Sequence, residues 1–299
     1  MTRGENNFMR MKATNPYTGW ASRSFDTLNI GLLLLTVATM IIPFLNTFAL
    51  AFSTNFASMQ PGIVLFPKEF SIEGFSTVWN RMQLYVPFTN NVIVTLVGTV
   101  GHVLLCSMAG YVLVQQGLPG KKWMVSLILL TMTIPGEAIM IPLYVVNKEL
   151  GLLNTLTSLI LSGLVSGFSI LLMRNFFMSV PSEMGESARI DGAGDFRIFV
   201  TMYLPLASAG LATVSLFEFV SRWNQFTPAL LYINDHAKYT LQIALKSLII
   251  DTDSTSSNFV ITTNVRMAGI VIALIPLMII YPYVQKYFVK GIMVGANKE

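Results

Sequence analysis

Charged residues are scarce in this chain, and their scarcity defines its class. Of 299 residues, 11% are Asp, Glu, Lys or Arg and 53% are hydrophobic, and the mean hydropathy is +0.62. Soluble domains carry about 25% charged residues. So few charges exclude an ordinary soluble domain and predict an integral membrane protein that buries apolar surface in lipid.

The residues and motifs that most enzymes need are also missing. There is one cysteine, Cys106, and only two histidines, His102 and His236, so no internal disulfide can form. A zinc site needs three or four converging ligands. No Ser-His-Asp arrangement and no phosphate-binding G-x-x-x-x-G-K-[ST] motif is present. We therefore predict no catalytic residue, no metal and no cofactor on this chain. Its bases are dispersed despite a net charge of +4, which argues against a nucleic-acid partner.

What the chain does contain is long apolar segments. A membrane-spanning helix needs about 20 apolar residues, and six segments meet that length. The first, second, fourth and sixth each have at least 19 consecutive positions without an acidic or basic residue, whereas the third contains Glu137 and the fifth contains Glu218 and Arg222. These segments predict an all-α protein with six transmembrane helices. They lie at about 28–52, 88–116, 123–147, 154–176, 206–232 and 267–288.

The distribution of basic residues predicts the orientation. Lysine and arginine favour cytoplasmic loops, and an inside N-terminus leaves only five loop bases outside. We therefore expect both termini in the cytoplasm, with an N-terminal segment 1–27, a six-span transmembrane domain 28–288 and a tail 289–299. The five outside bases are Lys68, Arg81, Lys148, Lys238 and Lys246.

This topology leaves one substantial cytoplasmic connection, at about 177–205. Pro181 and Ser182 favour a helix start, because proline suits the first positions of a helix and serine caps its free N–H groups. Gly192 and Gly194 favour its end or a tight turn. The residues alone leave two interpretations open: a docking helix, or an amphipathic helix lying on the membrane surface.

The same connection resembles a known motif. Glu186-Ser187-Ala188, then Asp191-Gly192-Ala193 and Leu204-Pro205, resemble the EAA loop in permease subunits of ATP-binding-cassette (ABC) importers. Trp223-Asn224-Gln-Phe226 and Gln285-Lys-Tyr-Phe-Val-Lys-Gly291 are similar to the second permease of maltose-type systems. The resemblance covers about residues 20–299. Ser187 departs from the family's alanine, and Thr201-Met202-Tyr203 fits only loosely.

The resemblance implies a type I importer permease fold and a mechanism. A helix at about 182–192 would sit in a cleft of a cytoplasmic ATPase, with Glu186 as its polar anchor and Gly192 as its turn. Implied partners are a second, homologous permease in a heterodimer, two ATPase subunits that use ATP and Mg²⁺, an extracytoplasmic binding protein, a carbohydrate and lipid. It also implies a bacterial-type cytoplasmic (inner) membrane. The implied coupling residues are Glu183, Glu186, Ser187, Ala188, Asp191, Gly192, Ala193, Gly194, Leu204 and Pro205.

Ionisable residues inside the spans form a second group of candidates. Glu218 and Arg222 are four residues apart, hence on one face of a helix, and we expect them to pair. Intramembrane charges are costly and often functional, so the pair would line a sugar pathway or brace the helix bundle. Glu137 follows Pro135-Gly136, where a broken helix would make an ion site or a simple kink.

Trp223, Asn224 and Phe226 lie beside that pair. Sugars combine apolar faces with hydroxyl rims, so aromatic rings next to an amide suit a sugar pathway. Aromatic residues in spans also serve packing and interface belts, and both roles stay open. The outer loop at about 53–87 is either a surface for a binding protein or a linker.

Two other functions remain compatible with a six-span chain. An ion-coupled secondary transporter would need a coupling residue, for which Glu137 is the best candidate, and usually internal repeats. A membrane scaffold without transport would tolerate charge reversal at Glu186. The importer interpretation predicts that charge reversal at Glu186 abolishes association with the ATPase.

Overall fold

The computed structural model describes residues 20–250 and 261–296, and the side chains of 24–249 and 261–282. Within them the chain is helical, and its only β contact is an isolated bridge between Ser53 and Phe70. Residues 1–19 of the predicted N-terminal segment, and the side chains of Gln285–Gly291, lie outside this description. The helices are α1 (Trp20–Ala51), α2 (Asn55–Ser58), α3 (Glu73–Ser76), α4 (Tyr85–Val112), α5 (Lys121–Thr133), α6 (Gly136–Glu149), α7 (Leu156–Leu161), α8 (Gly167–Met178), α9 (Ser182–Ile190), α10 (Asp195–Ile198), α11 (Leu204–Leu206), α12 (Ser208–Trp223), α13 (Thr227–Tyr232), α14 (Leu241–Ile250) and α15 (Thr263–Ala296).

Three helical stretches of the described residues are long and apolar enough to cross a membrane unaided: Ser24–Ala51, Tyr85–Val112 and Thr263–Pro282. Two further candidates are bent helix pairs, Lys121–Thr133 with Gly136–Glu149 and Asp195–Leu206 with Ser208–Trp223, which would raise the number to five. The all-helical membrane class is therefore confirmed. The structure is less regular than six uniform spans.

The structure divides three of the six predicted segments, and a proline or a glycine marks two of the breaks. In segment 123–147, α5 and α6 meet at 98°. Ile134 and Pro135 are extended there, with ψ of 119° and 137°, because proline disfavours helical geometry in the residue before it. Segment 206–232 is interrupted between α12 and α13, where Asn224 ends α12.

Segment 154–176 was predicted as a single span and is instead two helices, α7 and α8. Gly163, with φ of +72°, turns the chain in the left-handed region, where glycine is favoured. Ser166 then starts α8, since its hydroxyl accepts a hydrogen bond from the Ser169 N–H. Apolar composition alone could not reveal this break.

Helix α4 is the centre of the bundle and packs against α7, α8 and α12. Its Gly110 permits the closest approach to α8, because an added Cβ would lie 2.9 Å from the backbone nitrogen of Arg174. A second core forms where α12 and α14 meet α15, around the buried Trp223 and Leu241. The connection between the fifth and sixth predicted spans, residues 233–266, therefore includes a helix, α14, that belongs to the packed core.

Candidate functional site

The helix predicted at about 182–192 is present as α9. It begins at Ser182 after the extended Pro181, whose ψ is 130°, and its last residue is Ile190. Glu183 lies in its first turn, where a carboxylate offsets the positive end of the helix dipole. Gly192 then turns the chain with φ of +82°, so the glycine is required at this position, whereas Gly194 has an ordinary φ of −72°.

One side of α9 is buried against the segment that follows it. Gly185 and Ala188 are its buried residues, and the space beside Gly185 is bounded by the ring and hydroxyl of Tyr203 and by Ile198. Because these residues are small, α9 can lie close to that segment. The opposite side projects outward: Glu183, Glu186 and Ser187 are exposed, and the Ile190 side chain is 87% exposed.

Leu204 and Pro205 connect this assembly to the membrane helices. They lie in α11, directly after a π-helical turn at Phe199–Tyr203 and immediately before α12. The rings of Tyr111, Phe177, Phe199 and Tyr203 pack together beneath α9, with Tyr111 and Tyr203 4.8 Å apart. Helix α9 therefore rests on an aromatic cluster shared with α4 and α8.

Polar contacts also join α9 to the end of α4. Arg189 donates a hydrogen bond of 2.6 Å to the Gln115 side chain and a second of 2.9 Å to Asp195. The bond to Asp195 raises the pKa of Arg189, so this guanidinium stays charged. Gln116 contacts Glu186 at 3.4 Å. Together with Ser182 and Tyr203, these residues line a cleft of about 370 Å³.

The predicted intramembrane pair also forms. Arg222 Nε lies 2.5 Å from Glu218 Oε1, and the Arg222 side chain is 2% exposed against 14% for Glu218. Arg222 Nη1 donates to the carbonyl oxygens of Leu159 and Ile160, at 3.2 and 3.1 Å. The pair is thus fastened to the last turn of α7.

Sequence reasoning missed His102, which was considered only as a metal ligand. Its Nδ1 lies 2.9 Å from the carbonyl oxygen of Gly163 and 3.5 Å from Glu218 Oε1, and its Nε2 lies 2.8 Å from Ser169 Oγ. A carbonyl can only accept, so Nδ1 carries a proton. The available signal was Gly98, one turn before His102 on α4. Neither residue indicates a partner more than a hundred positions away.

The remaining candidates divide between the interior and the surface. Trp223 is buried at 1% exposure, and its Nε1 donates to the Ala273 carbonyl at 3.0 Å. Asn224 and Glu137 are exposed, and Phe226 is half-buried with Lys246 Nζ 5.9 Å from its ring centre. In this arrangement Trp223 joins helices together, while the other three remain accessible. Among described residues, no group of three or more His, Cys, Asp or Glu could hold a metal ion.

An all-helical bundle that combines apolar, membrane-length helices with an exposed polar helix between them is typical of a membrane transport subunit. Residues 102–294 match the family model described as binding-protein-dependent transport system inner membrane component. The chain belongs to this family, which confirms the resemblance seen in the loop. It is an inner-membrane permease subunit of an ABC import system of the sugar-transporting kind.

Individual relatives are similar over nearly their whole length. The polygalacturonan/rhamnogalacturonan transport system permease protein YtcP of Bacillus subtilis (strain 168) is 34% identical, over 93% of this chain and 99% of that protein. The arabinooligosaccharides transport system permease protein AraQ of Halalkalibacterium halodurans is 29% identical over 96% and 99%. Among solved structures, a chain of a bacterial ABC transporter that imports the acidic polysaccharide alginate matches with a TM-score of 0.84 and 29% identity, covering 91% and 99%.

Proposed function

We propose that this chain forms half of the translocation pathway of an ATP-driven importer for an oligosaccharide. It pairs with a second, homologous permease, and an extracytoplasmic binding protein delivers the sugar. Two cytoplasmic ATPase subunits bind and hydrolyse ATP with Mg²⁺. The polymers and oligosaccharides named for the relatives support this substrate class. In the proposed topology the chain has six spans, and both termini lie in the cytoplasm.

The observation that carries the proposal is α9, an exposed helix anchored on the bundle. A rigid helix with buried Gly185 and Ala188 and projecting Glu186 and Ile190 can enter a cleft on another subunit without unfolding. Movement of that subunit would pass through Leu204-Pro205 into α12, because no long flexible connection intervenes. The coupling site proposed for the ATPase comprises Glu183, Glu186, Ser187, Ala188, Asp191, Gly192, Ala193, Gly194, Leu204 and Pro205.

The proposed sugar pathway uses the accessible members of the second group. Asn224 offers an amide and Phe226 a ring, near the end of α12. Glu218 is partly exposed and Glu137 is exposed. Arg222 and Trp223 support this surface from behind, since both are buried.

The test is reconstitution of the chain with its cognate permease, ATPases and binding protein in lipid vesicles. ATP should drive uptake of labelled oligosaccharide, and uptake should persist when ionophores remove all ion gradients. Uptake by the chain alone that stops with the ion gradient would instead favour a secondary transporter. Oligogalacturonate, arabino-oligosaccharide and glycerol phosphate, as alternative solutes, distinguish the substrate classes.

The substitution Glu186→Lys tests the coupling site by co-purification of the permease with the ATPase from solubilised membranes. The reversed charge should abolish co-purification of the ATPase while membrane insertion stays normal. Glu149→Lys is the matched control, because Glu149 is also exposed but ends α6, and it should co-purify like the unmodified chain. Normal association of the Glu186→Lys variant would leave a scaffold without transport as the better explanation.

A further inference from the structure

A buried polar cluster occupies the point where the fourth apolar segment is broken. It consists of His102 on α4 and Glu218 and Arg222 on α12, which meet the chain between α7 and α8. His102 is 0% exposed and Arg222 3%. Burying ionisable groups is costly unless they are paired and hydrogen-bonded. We therefore expect these buried groups to perform a function together.

The break creates carbonyl groups that need donors. The last carbonyls of a helix have no partner within it, and α7 ends at Leu161. Two of these last-turn oxygens, on Leu159 and Ile160, accept from Arg222, and the Gly163 oxygen accepts from His102. In an apolar environment a carbonyl without a hydrogen-bond donor is strongly unfavourable. Arg222 and His102 supply the donors that the broken segment lacks.

Neighbouring residues hold these donors in position. Glu218 fixes Arg222 through Nε, and Ser169, in the first turn of α8, contacts His102 Nε2 at 2.8 Å. Gly98 provides the space, because an added Cβ would overlap the guanidinium, lying 2.5 Å from its central carbon. An alanine there would displace Arg222.

We propose that His102, Glu218 and Arg222 form a clamp that holds the α7–α8 break and joins it to α4 and α12. Helix α12 directly follows the segment from α9 to α11. The clamp therefore makes the broken segment move with α12 when α9 moves. The three are positioning residues, and this role rests on the proposed function. The clamp connects helices through hydrogen bonds to the carbonyl groups of the α7–α8 break. Neither a simple ion pair nor a sugar-binding site would require these bonds.

Two glycines on α4 provide a matched test. Gly98→Ala displaces Arg222 without changing any charge, whereas Gly101→Ala, one turn away, meets only the end of the Leu164 side chain at 3.0 Å. In vesicles with the complete importer, Gly98→Ala should lower sugar uptake per ATP hydrolysed about tenfold, the factor that one hydrogen bond to a charged group contributes. Gly101→Ala should stay within about twofold, since a flexible side chain can move aside. Equal ratios for the two variants would overturn the proposal.

Substitutions of the arginine separate a clamp from a simple ion pair. Arg222→Gln should lower uptake per ATP as Gly98→Ala does, and Arg222→Lys should fall between, because lysine keeps the charge but lacks the planar fork. The double variant Glu218→Arg with Arg222→Glu keeps an ion pair but removes the donor from the α7 carbonyls. It should not recover, and recovery would contradict the clamp.

The readouts distinguish this proposal from the proposed function. If uptake and ATP hydrolysis fall only in proportion to the amount of assembled complex, the residues are merely structural and the coupling role fails. If the unmodified complex imports no sugar with ATP, the proposed function fails. Thermal unfolding of Gly98→Ala against Gly101→Ala then still tests the clamp: a lower midpoint for Gly98→Ala alone supports it, and equal midpoints overturn it. Should Arg222→Gln not assemble, the glycine pair carries the comparison.

Discussion

At the scale of single residues, the turn that follows α9 depends on the backbone conformation of one residue, Gly192. Gly192 has φ of +82° and follows the last turn of α9, where its N–H donates to the Arg189 carbonyl at 3.0 Å. The next amide, of Ala193, donates to Ala188 at 2.9 Å. Backbone geometry, and not a side-chain contact, therefore makes the glycine necessary, since nothing lies within 4 Å of a Cβ added there.

We predict that Gly192→Ala weakens coupling because it forces an alanine into the left-handed region. That conformation costs about 1–2 kcal/mol for a residue with a side chain. The fraction of ATPase that co-purifies with the permease should fall severalfold. Gly194→Ala is the control: Gly194 has φ of −72° and open space around it, so this variant should behave normally. A similar loss from both would show that chain flexibility, and not the turn, matters.

At the scale of helices, close packing depends on small residues where backbones approach. Gly110 on α4 faces the backbone of α8, with the Ile170 carbonyl 3.2 Å and the Met173 Cβ 3.0 Å from an added Cβ. Small residues allow such approaches in membrane proteins, where association depends on packing and hydrogen bonds. The α4–α8 contact in turn supports the aromatic cluster under α9.

We predict that Gly110→Ala destabilises the protein by about 1–3 kcal/mol, the usual cost of overpacking. The obstructing atoms belong mostly to the backbone, so the neighbouring helix must shift. Thermal unfolding of the purified protein in detergent measures the effect. Gly31→Ala, inside α1 with nothing within 4 Å of its Cβ, should not destabilise. An unchanged midpoint for Gly110→Ala would mean that α4 and α8 lie further apart.

At the scale of the whole molecule, orientation follows from charge. The described helices contain long apolar stretches, and in the six-span topology predicted from the sequence most basic residues lie on the side of the 177–205 connection. Because translocating lysine and arginine is unfavourable, the side richer in them stays in the cytoplasm. On this basis we predict that Lys122 lies on the cytoplasmic side of the membrane and Asn234 on the outer side.

Labelling of introduced cysteines tests this orientation. In a Cys106→Ala background, Asn234→Cys should react with a membrane-impermeant maleimide on intact cells, after removal of any outer barrier. Lys122→Cys should react only once the membrane is permeabilised. Both positions are exposed, so differences in reaction reflect sidedness. The reverse pattern would invert the topology and remove the docking helix from the ATPase.

Much of this protein could be predicted from sequence because the relevant signals are local. Hydrophobic length predicts a membrane protein, and a four-residue spacing predicts the Glu218–Arg222 pair, which the structure confirms. The docking motif lies within one short stretch, so its helix and its turn at Gly192 were readable directly. The family and its transport function followed from that motif.

Only the tertiary structure decided that segment 154–176 breaks and that His102 and Arg222 meet the carbonyl groups at that break. The division of 154–176 depends on His102 and Arg222, whose donors satisfy carbonyls more than fifty positions away in the chain. The burial of Trp223 likewise depends on the Ala273 carbonyl and on a ring stacked at 5.9 Å from Phe219. Such contacts depend on how whole helices pack. The composition of a single segment therefore does not indicate which distant residues it will contact.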